Sequence, residues 1–391
     1  MVRQLGITES LNVENMEQND ITIIGAGFAG LACARTSARQ GMKTVVLERK
    51  PCPGANMRTT GILVKEAADL LELPAHLGRG INGVRLYSPS GKWIDLSSPG
   101  YSFVATDTPG MMRWLAARAE SAGAELRLSQ NISRFHRDHE LVVIPDAGLR
   151  SRFLVGCDGA RSNVARAFGL SRNQNYLMGA EIEYEGIHGL DQNKLHVFLD
   201  SKLAPGYIGW IVPGLGISQM GIAVRKPHKP NLAAFEAKMK KLFDFSQAQV
   251  IGRRGGLIPC GGVLKHWQSN RVMLLGDAAG MVSPLTAGGI YPSLELGAKA
   301  GQTISRYLKG QLNDPTDELL PMVPRYGMKG AMRWSMDHLA PPNMLYDIAL
   351  GNPLFQRVAQ VLFFHHRGLF SAQAWKEILY FGNISAEEAG G

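Results

Sequence analysis

The chain lacks most of what would tie it to a membrane span, a metal or a nucleic acid. No apolar run in its 391 residues reaches the roughly 20 residues that a transmembrane helix needs. Residues 1–19 are polar and of mixed charge, with no apolar h-region, so they do not resemble a signal peptide. They read as a flexible leader, and Met16 is a plausible natural start. Only four cysteines are present, Cys33, Cys52, Cys157 and Cys260, with neither C-x-x-C pairing nor metal-ligand spacing. The expectation is no metal, and reduced thiols in a cytoplasmic protein. Net charge is +9, yet the basic residues are scattered and form no block. Nucleic acid is therefore not an expected partner, whereas an anionic membrane surface or a phosphorylated substrate is compatible. Internal repeats and low-complexity tracts are also missing.

What is present is the composition of a folded protein, with 45% apolar and 19% charged residues and enough length for two or three domains. Residues 21–50 carry the strongest signal. Ile21, Ile23 and Ile24 form a β-branched run that ends at Gly25, and Gly25, Gly27 and Gly30 have the spacing G-x-G-x-x-G. In such a turn Gly25 permits the tight bend and Gly27 lets the backbone approach a pyrophosphate. Gly30 lets helix pack on strand. Ala26, Phe28 and Ala29 complete the turn and open a helix whose N-terminus attracts the pyrophosphate. A second strand, 44–47, ends at Glu48, placed to accept hydrogen bonds from a ribose diol, and Arg49 is placed to stack on adenine. This is the start of a Rossmann-like βαβ unit that binds an adenine dinucleotide.

Two further motifs follow the same style. In LVGCDGARSNVAR, residues 154–166, a strand ends at Asp158-Gly159 and Ser162 begins a helix. In RVMLLGDAAGMVSPLTAGGIYPSLELG, residues 271–297, a strand ends at Gly276-Asp277, and Pro284, Gly288 and Gly289 lead into a long helix. Between them, from 178 to about 262, alternating extended runs with one helix at 232–242 predict an antiparallel sheet inserted into the nucleotide domain. The segment 84–96 reads as a hairpin and 109–122 as a helix.

With these three motifs in order, the chain resembles the FAD-dependent oxidoreductases of the para-hydroxybenzoate hydroxylase-like superfamily over about residues 20–310. The resemblance implies that Asp277 binds the ribitol of FAD. It places Gly288, Gly289 and Ile290 at the flavin's pyrimidine edge, and Asp158 and Gly159 near the pyrophosphate. Within the superfamily the chain is most similar to the geranylgeranyl reductase family. GDAAGMVSPLTAGGIY, residues 276–291, follows that family's GDAAG-x-x-x-PLTGGGIY, and GGLIPCGG, residues 255–262, follows its GG-x-IP-x-GG. PGYIGWIVP, residues 205–213, stands where the family has P-x-x-Y-x-W-x-F-P, a strand lining an isoprenoid cavity. Pro205, Trp210 and Pro213 are in register. Ile208 replaces Tyr, Val212 replaces Phe, and Tyr207 falls one residue early, on the opposite face if the strand is regular. Tyr207, Ile208, Trp210, Val212, Pro213 and Tyr291 are the expected substrate contacts.

Some features depart from the family. The stretch 54–61 lacks the Cys that relatives carry beside the flavin, and Thr108 stands where relatives tend to have Arg, leaving Arg113 as a candidate phosphate contact. No second G-x-G-x-x-G stands between a strand and a helix, the one at 78–83 leading into the 84–96 hairpin, so NADPH or NADH is expected to bind transiently as electron donor, or a ferredoxin to deliver electrons. None of the three motifs holds a His. His136, His139, His188 and His196 read as surface residues, and the pattern names no proton donor.

The resemblance thus implies an α/β protein with an inserted α+β part. The FAD-binding domain is expected at 20–75, 103–167 and 262–312, the substrate sheet at 76–102 and 168–261, and a helical region at 313–391. The implied activity is hydride transfer from reduced flavin to carbon–carbon double bonds of an isoprenoid or other apolar substrate. Two alternatives stay open. One is a flavin monooxygenase or halogenase acting on an aromatic substrate, although the halogenase G-E-S run is absent and Lys65 sits on a predicted helix. The other is an electron-transfer flavoprotein donating to a quinone or protein partner. The segment 354–370 reads as a core helix, a lid or a peripheral membrane contact, and the protein as a monomer or dimer.

Overall fold

The computed structural model describes residues 16–338 and 341–364. One sheet is built on parallel strands. In spatial order they are Gln268–Ser269, Val272–Leu274, Leu149–Gly156, Glu17–Ile24, Thr44–Leu47 and Glu125–Arg127, with only the first pair antiparallel. A short hairpin, His136–Asp138 with Leu141–Ile144, pairs off Leu149–Gly156. Ile21, Ile23 and Val155 are fully buried in the central strands, as continuous apolar runs in parallel sheets are. The first strand starts at Glu17, so the last residues assigned to the leader, 17–19, already pair with Leu149–Ser151. Their polarity hid them, because backbone hydrogen bonds rather than apolar side chains hold the strand's start.

Helix Phe28–Arg39 leaves the glycine turn and packs on the long helix Ile290–Leu308. A Cβ on Gly297 would lie 2.5 Å from the Ala29 carbonyl oxygen, and one on Gly301 2.6 Å from that of Cys33. The two helices therefore meet backbone to backbone. That contact fixes the N-terminus of the long helix beside the glycine turn.

The second sheet has seven strands, in the order Gln249–Pro259, Tyr176–Glu185, Ser218–Arg225, Gly209–Pro213, Lys194–Phe198, Gly83–Tyr87 and Trp93–Leu96. The hairpin expected at 84–96 forms its last two strands. The sheet is not wholly antiparallel, since Lys194–Phe198 runs parallel to Gly83–Tyr87. These two strands come from segments far apart in the chain, so no tight turn forces them to oppose. A three-stranded sheet of Ile62–Leu63, Phe103–Thr106 and Gly78–Ile81 went unread, its strands being too short to show periodicity.

Helices Gly327–His338, Asn343–Leu350 and Pro353–Phe364 close one side. Phe364 is buried against Tyr101 and Phe103, and Gln360 Nε2 donates to the Ser97 carbonyl at 2.8 Å. The end of the described part of the 354–370 segment, from Ala359 to Phe364, is thus packed, while Leu354 at its start is exposed; the remainder, with His365, His366 and Arg367, lies outside the described residues. No helix among the described residues is long and apolar enough to cross a membrane. His196 is fully buried rather than on the surface. Its Nδ1 lies 2.9 Å from the Tyr87 hydroxyl and its Nε2 3.0 Å from the Asp191 carbonyl, and burial pushes its pKa down.

Candidate active site

Between the two sheets lies a cleft of about 2290 Å³. One drug-sized ligand fills about 300–1,000 Å³, so this volume accommodates a dinucleotide and a second molecule. Gly27, Phe28, Ala29 and Arg49 line one end. Asp158 and Gly159 join them, with Gly276, Asp277, Gly288, Gly289, Ile290 and Tyr291 alongside. Residues from three distant motifs thus share one wall.

The three turn glycines divide the work. A Cβ on Gly30 would sit 2.0 Å from the Gly25 carbonyl oxygen, and one on Gly25, whose φ is +102°, 2.4 Å from that of Cys157. These two glycines let the turn close and sit behind the wall. A Cβ on Gly27 would meet nothing within 4 Å, so this position faces open space. Glu48 lies just behind it. Its Oε2 accepts from the Ala26 amide at 2.8 Å and its Oε1 from the Lys50 amide at 3.0 Å. A carboxylate has about four acceptor sites, so capacity for a diol remains.

Two acids complete this half. Asp158 Oδ2 accepts from the amides of Asn163 and Val164 at 2.6 and 3.2 Å, while its Oδ1 is buried with no hydrogen-bond partner. Burial pushes its pKa up, against the opposing pull of hydrogen bonds from Ser162, Val164 and Asn163. Burial likewise raises Asp277 from 3.8 to about 6. The long helix begins beside it, with Gly289 as N-cap, and its first amides carry the partial positive charge that favours an anion. Ala287, in the turn that leads there, has φ +53°, a conformation costing about 1–2 kcal/mol for a residue with a Cβ.

These residues fit FAD. The open Gly27 position and the helix N-terminus suit a pyrophosphate, and Glu48 has room for a ribose diol. The orphaned Asp158 oxygen and the desolvated Asp277 carboxyl each call for a hydroxyl donor. Three candidates fall elsewhere. Arg113 is exposed on helix Thr108–Glu120, whose buried face is Met111, Met112 and Leu115, so it stands off the cleft. Pro284 is buried within the turn while its neighbours Ser283 and Leu285 face the cleft. Pro213 ends its strand outside the cleft, its carbonyl accepting from Arg79 Nη1 at 3.4 Å.

The opposite wall belongs to the seven-stranded sheet. Ile208, Trp210 and Val212 line it together with Leu86, Val197 and Phe355. Tyr207 does not face away as strand alternation suggests. It also lines the cleft, because the strand starts only at Gly209 and residues before it form a turn. This wall is not wholly apolar. Thr60, Glu181 and Arg254 line it too, and the Trp210 indole donates to Glu181 Oε2 at 2.9 Å. Sequence reading missed these three because they sit on three separate segments, none within a motif. Lys65 is half-buried, paired with Asp69 at 2.8 Å, and off the cleft.

Fold and cleft together define an FAD-dependent oxidoreductase, and the FAD dependent oxidoreductase (DAO) family matches residues 20–107. Over the longer span the likeness is narrower. Digeranylgeranylglycerophospholipid reductase of Methanocaldococcus jannaschii is 28% identical over 82% of this chain and 85% of its own length. Geranylgeranyl diphosphate reductase of Rhodobacter capsulatus is 27% identical over 74% and 76%. The crystal structure of a geranylgeranyl bacteriochlorophyll reductase-like protein from Thermoplasma acidophilum superposes with a TM-score of 0.76 at 20% identity, covering 89% of this chain and 97% of that one. The chain is thus similar, over about three quarters of its length or more, to proteins named as geranylgeranyl reductases.

Proposed function

We propose that this protein reduces carbon–carbon double bonds of an isoprenoid chain with FAD held in the cleft. The observation that carries the reading is the continuity of one cleft from the glycine turn to the apolar sheet wall. Gly27, Glu48, Asp158, Asp277 and the amides following Gly289 hold the cofactor. Bound there, FAD supplies hydride chemistry once reduced. Ile208, Trp210, Val212, Val197 and Leu86 hold an aliphatic chain against it and exclude water. The protein relatives named above act on geranylgeranyl chains, which match such a wall. The donor is NADPH or NADH bound transiently, or a ferredoxin, since the second G-x-G-x-x-G, Gly78–Gly83, runs through the strands Gly78–Ile81 and Gly83–Tyr87 and opens no helix.

We also infer a cytoplasmic protein that touches membranes weakly. Met344, Leu345, Ile348 and Leu354 are 67%, 47%, 62% and 66% exposed on the helices that flank the cleft, and the chain carries net charge +9. The position of Lys65, off the cleft and paired with Asp69, gives no support to a halogenase. The test is anaerobic. Protein reduced with dithionite is mixed with geranylgeranyl diphosphate, with and without anionic liposomes. A product heavier by two hydrogens per double bond, with matching loss of reduced flavin, is expected. Flavin that reoxidises only when oxygen is admitted, with hydroxylated or halogenated product, would overturn the reading. Absence of co-sedimentation with the liposomes at low salt would remove the membrane contact.

A further inference from the structure

The register of the seven-stranded sheet aligns one row of residues across it. Arg254 faces Glu181, Glu181 faces Gly221, Gly221 faces Trp210, Trp210 faces Val197, and Val197 faces Leu86. Residues opposite one another in neighbouring strands present side chains to the same face. All of them except Gly221 line the cleft. The row therefore grades from an ion pair at one end to aliphatic side chains at the other.

Gly221 joins the two halves. A Cβ there would lie 2.4 Å from Trp210 Cζ2, so glycine is what lets the indole lie flat across the intervening strand. The indole Nε1–H then reaches Glu181 Oε2 at 2.9 Å, and the same oxygen accepts from the Thr60 hydroxyl at 2.7 Å. Glu181 Oε1 accepts from Arg254 Nε at 2.6 Å and also faces Arg254 Nη2, while Arg254 Nη1 pairs with Glu183 at 3.0 Å. Glu181 is only 4% exposed. A buried carboxylate persists only where it is paired and hydrogen-bonded, and Arg254 supplies that. Every hydrogen bond to Glu181 is one it accepts, so it has no proton to hand to substrate. What it does have is a grip on two separate segments of the cleft lining at once, the indole of strand Gly209–Pro213 and the 54–61 loop.

Resting on the reductase reading above, we propose that Glu181 is a positioning residue. It tethers Trp210 to Thr60 and so sets how deep, and in which register, an isoprenoid chain enters. It thereby selects which double bond is reduced.

The experiment compares wild type with Glu181→Leu, Glu181→Gln and the double variant Glu181→Gln/Arg254→Gln, each loaded with FAD. Two readouts are taken. The first is the near-ultraviolet circular dichroism of the Trp210 indole, assigned by Trp210→Phe and independent of any substrate. The second is the product pattern, with kcat and KM, for geranylgeranyl diphosphate and a shorter prenyl diphosphate. Glu181→Leu is expected to lose the Trp210 signal and to produce partially reduced isomers that wild type does not make. It should also change the long-to-short ratio of kcat/KM by about tenfold or more, as small misplacements of a reacting group do. The double variant keeps a neutral acceptor for the indole without an unpaired arginine, so it should return toward wild type in both readouts. If Glu181→Leu fails to fold, Glu181→Gln and the double variant carry the comparison. An unchanged Trp210 signal and product pattern in folded, flavin-loaded variants would overturn the tether. A wild type that reduces neither prenyl chain sinks the reductase reading instead, and the Trp210 signal then still decides the tether.

Discussion

The two walls of the cleft are built in opposite ways. The nucleotide wall is made of contiguous motifs, each a strand end, a turn and a helix start within about a dozen residues. Backbone does most of its work, through amides, helix ends and glycines that leave space. The sheet wall is made of single residues from separate strands, Arg254, Glu181, Gly221, Trp210 and Val197, brought into line by register alone. Side chains do its work. The first wall suits a cofactor common to a superfamily, and the second is the part free to differ between substrates.

The largest expected effect separates glycines that look equivalent in sequence. Gly27→Val should leave the fold intact, because its Cβ meets nothing, while abolishing FAD binding. Gly30→Val should fail to fold, because its Cβ lies 2.0 Å from a backbone oxygen. Flavin content and thermal melting of the two purified variants check this. Equal melting temperatures, or a yellow Gly27→Val protein, would erase the distinction drawn between them.

A smaller effect concerns the acid of the nucleotide wall. Burial raises Asp277 to about 6, so in the flavin-free protein its contribution to stability is fully present below about pH 4 and is lost as pH rises through about 6. Asp158 shifts in the same direction. Ligand hydroxyls that donate to the carboxylate lower its pKa, so binding releases a proton. Affinity for FAD should then rise with pH up to about 6 and level off above it. Asp277→Asn should flatten most of that rise, leaving the part due to Asp158. Titration of the flavin-free protein across this range measures it, and a wild-type affinity that falls with rising pH would contradict the assignment.

The contrast also explains what was legible in the sequence. Gly25, Gly27, Gly30, Glu48, Asp158 and Asp277 were readable because local spacing determines local geometry, and the structure gathers them. The Ile208–Trp210–Val212 face was readable from two-residue alternation and family likeness. Glu181 and Arg254 were not, since each is an isolated charge in a strand and their pairing depends on register between segments some seventy residues apart. Tyr207 was misplaced because alternation was extended past the strand's start. Arg113 was misplaced because a helix's outward face cannot be told from one that meets a ligand until its partners are known. His196 was taken as exposed because its two partners, Tyr87 and the Asp191 carbonyl, come from another strand and a loop.

The central claim is that the sheet wall shapes substrate space while the nucleotide wall alone holds the cofactor. Trp210→Ala tests it most directly, with melting temperature, flavin content and product formation measured on one preparation. The account predicts full flavin content, a stability loss below the roughly 3–5 kcal/mol of a core aromatic truncation, and turnover of prenyl substrate largely lost. Normal turnover, or loss of flavin together with global unfolding, would contradict it.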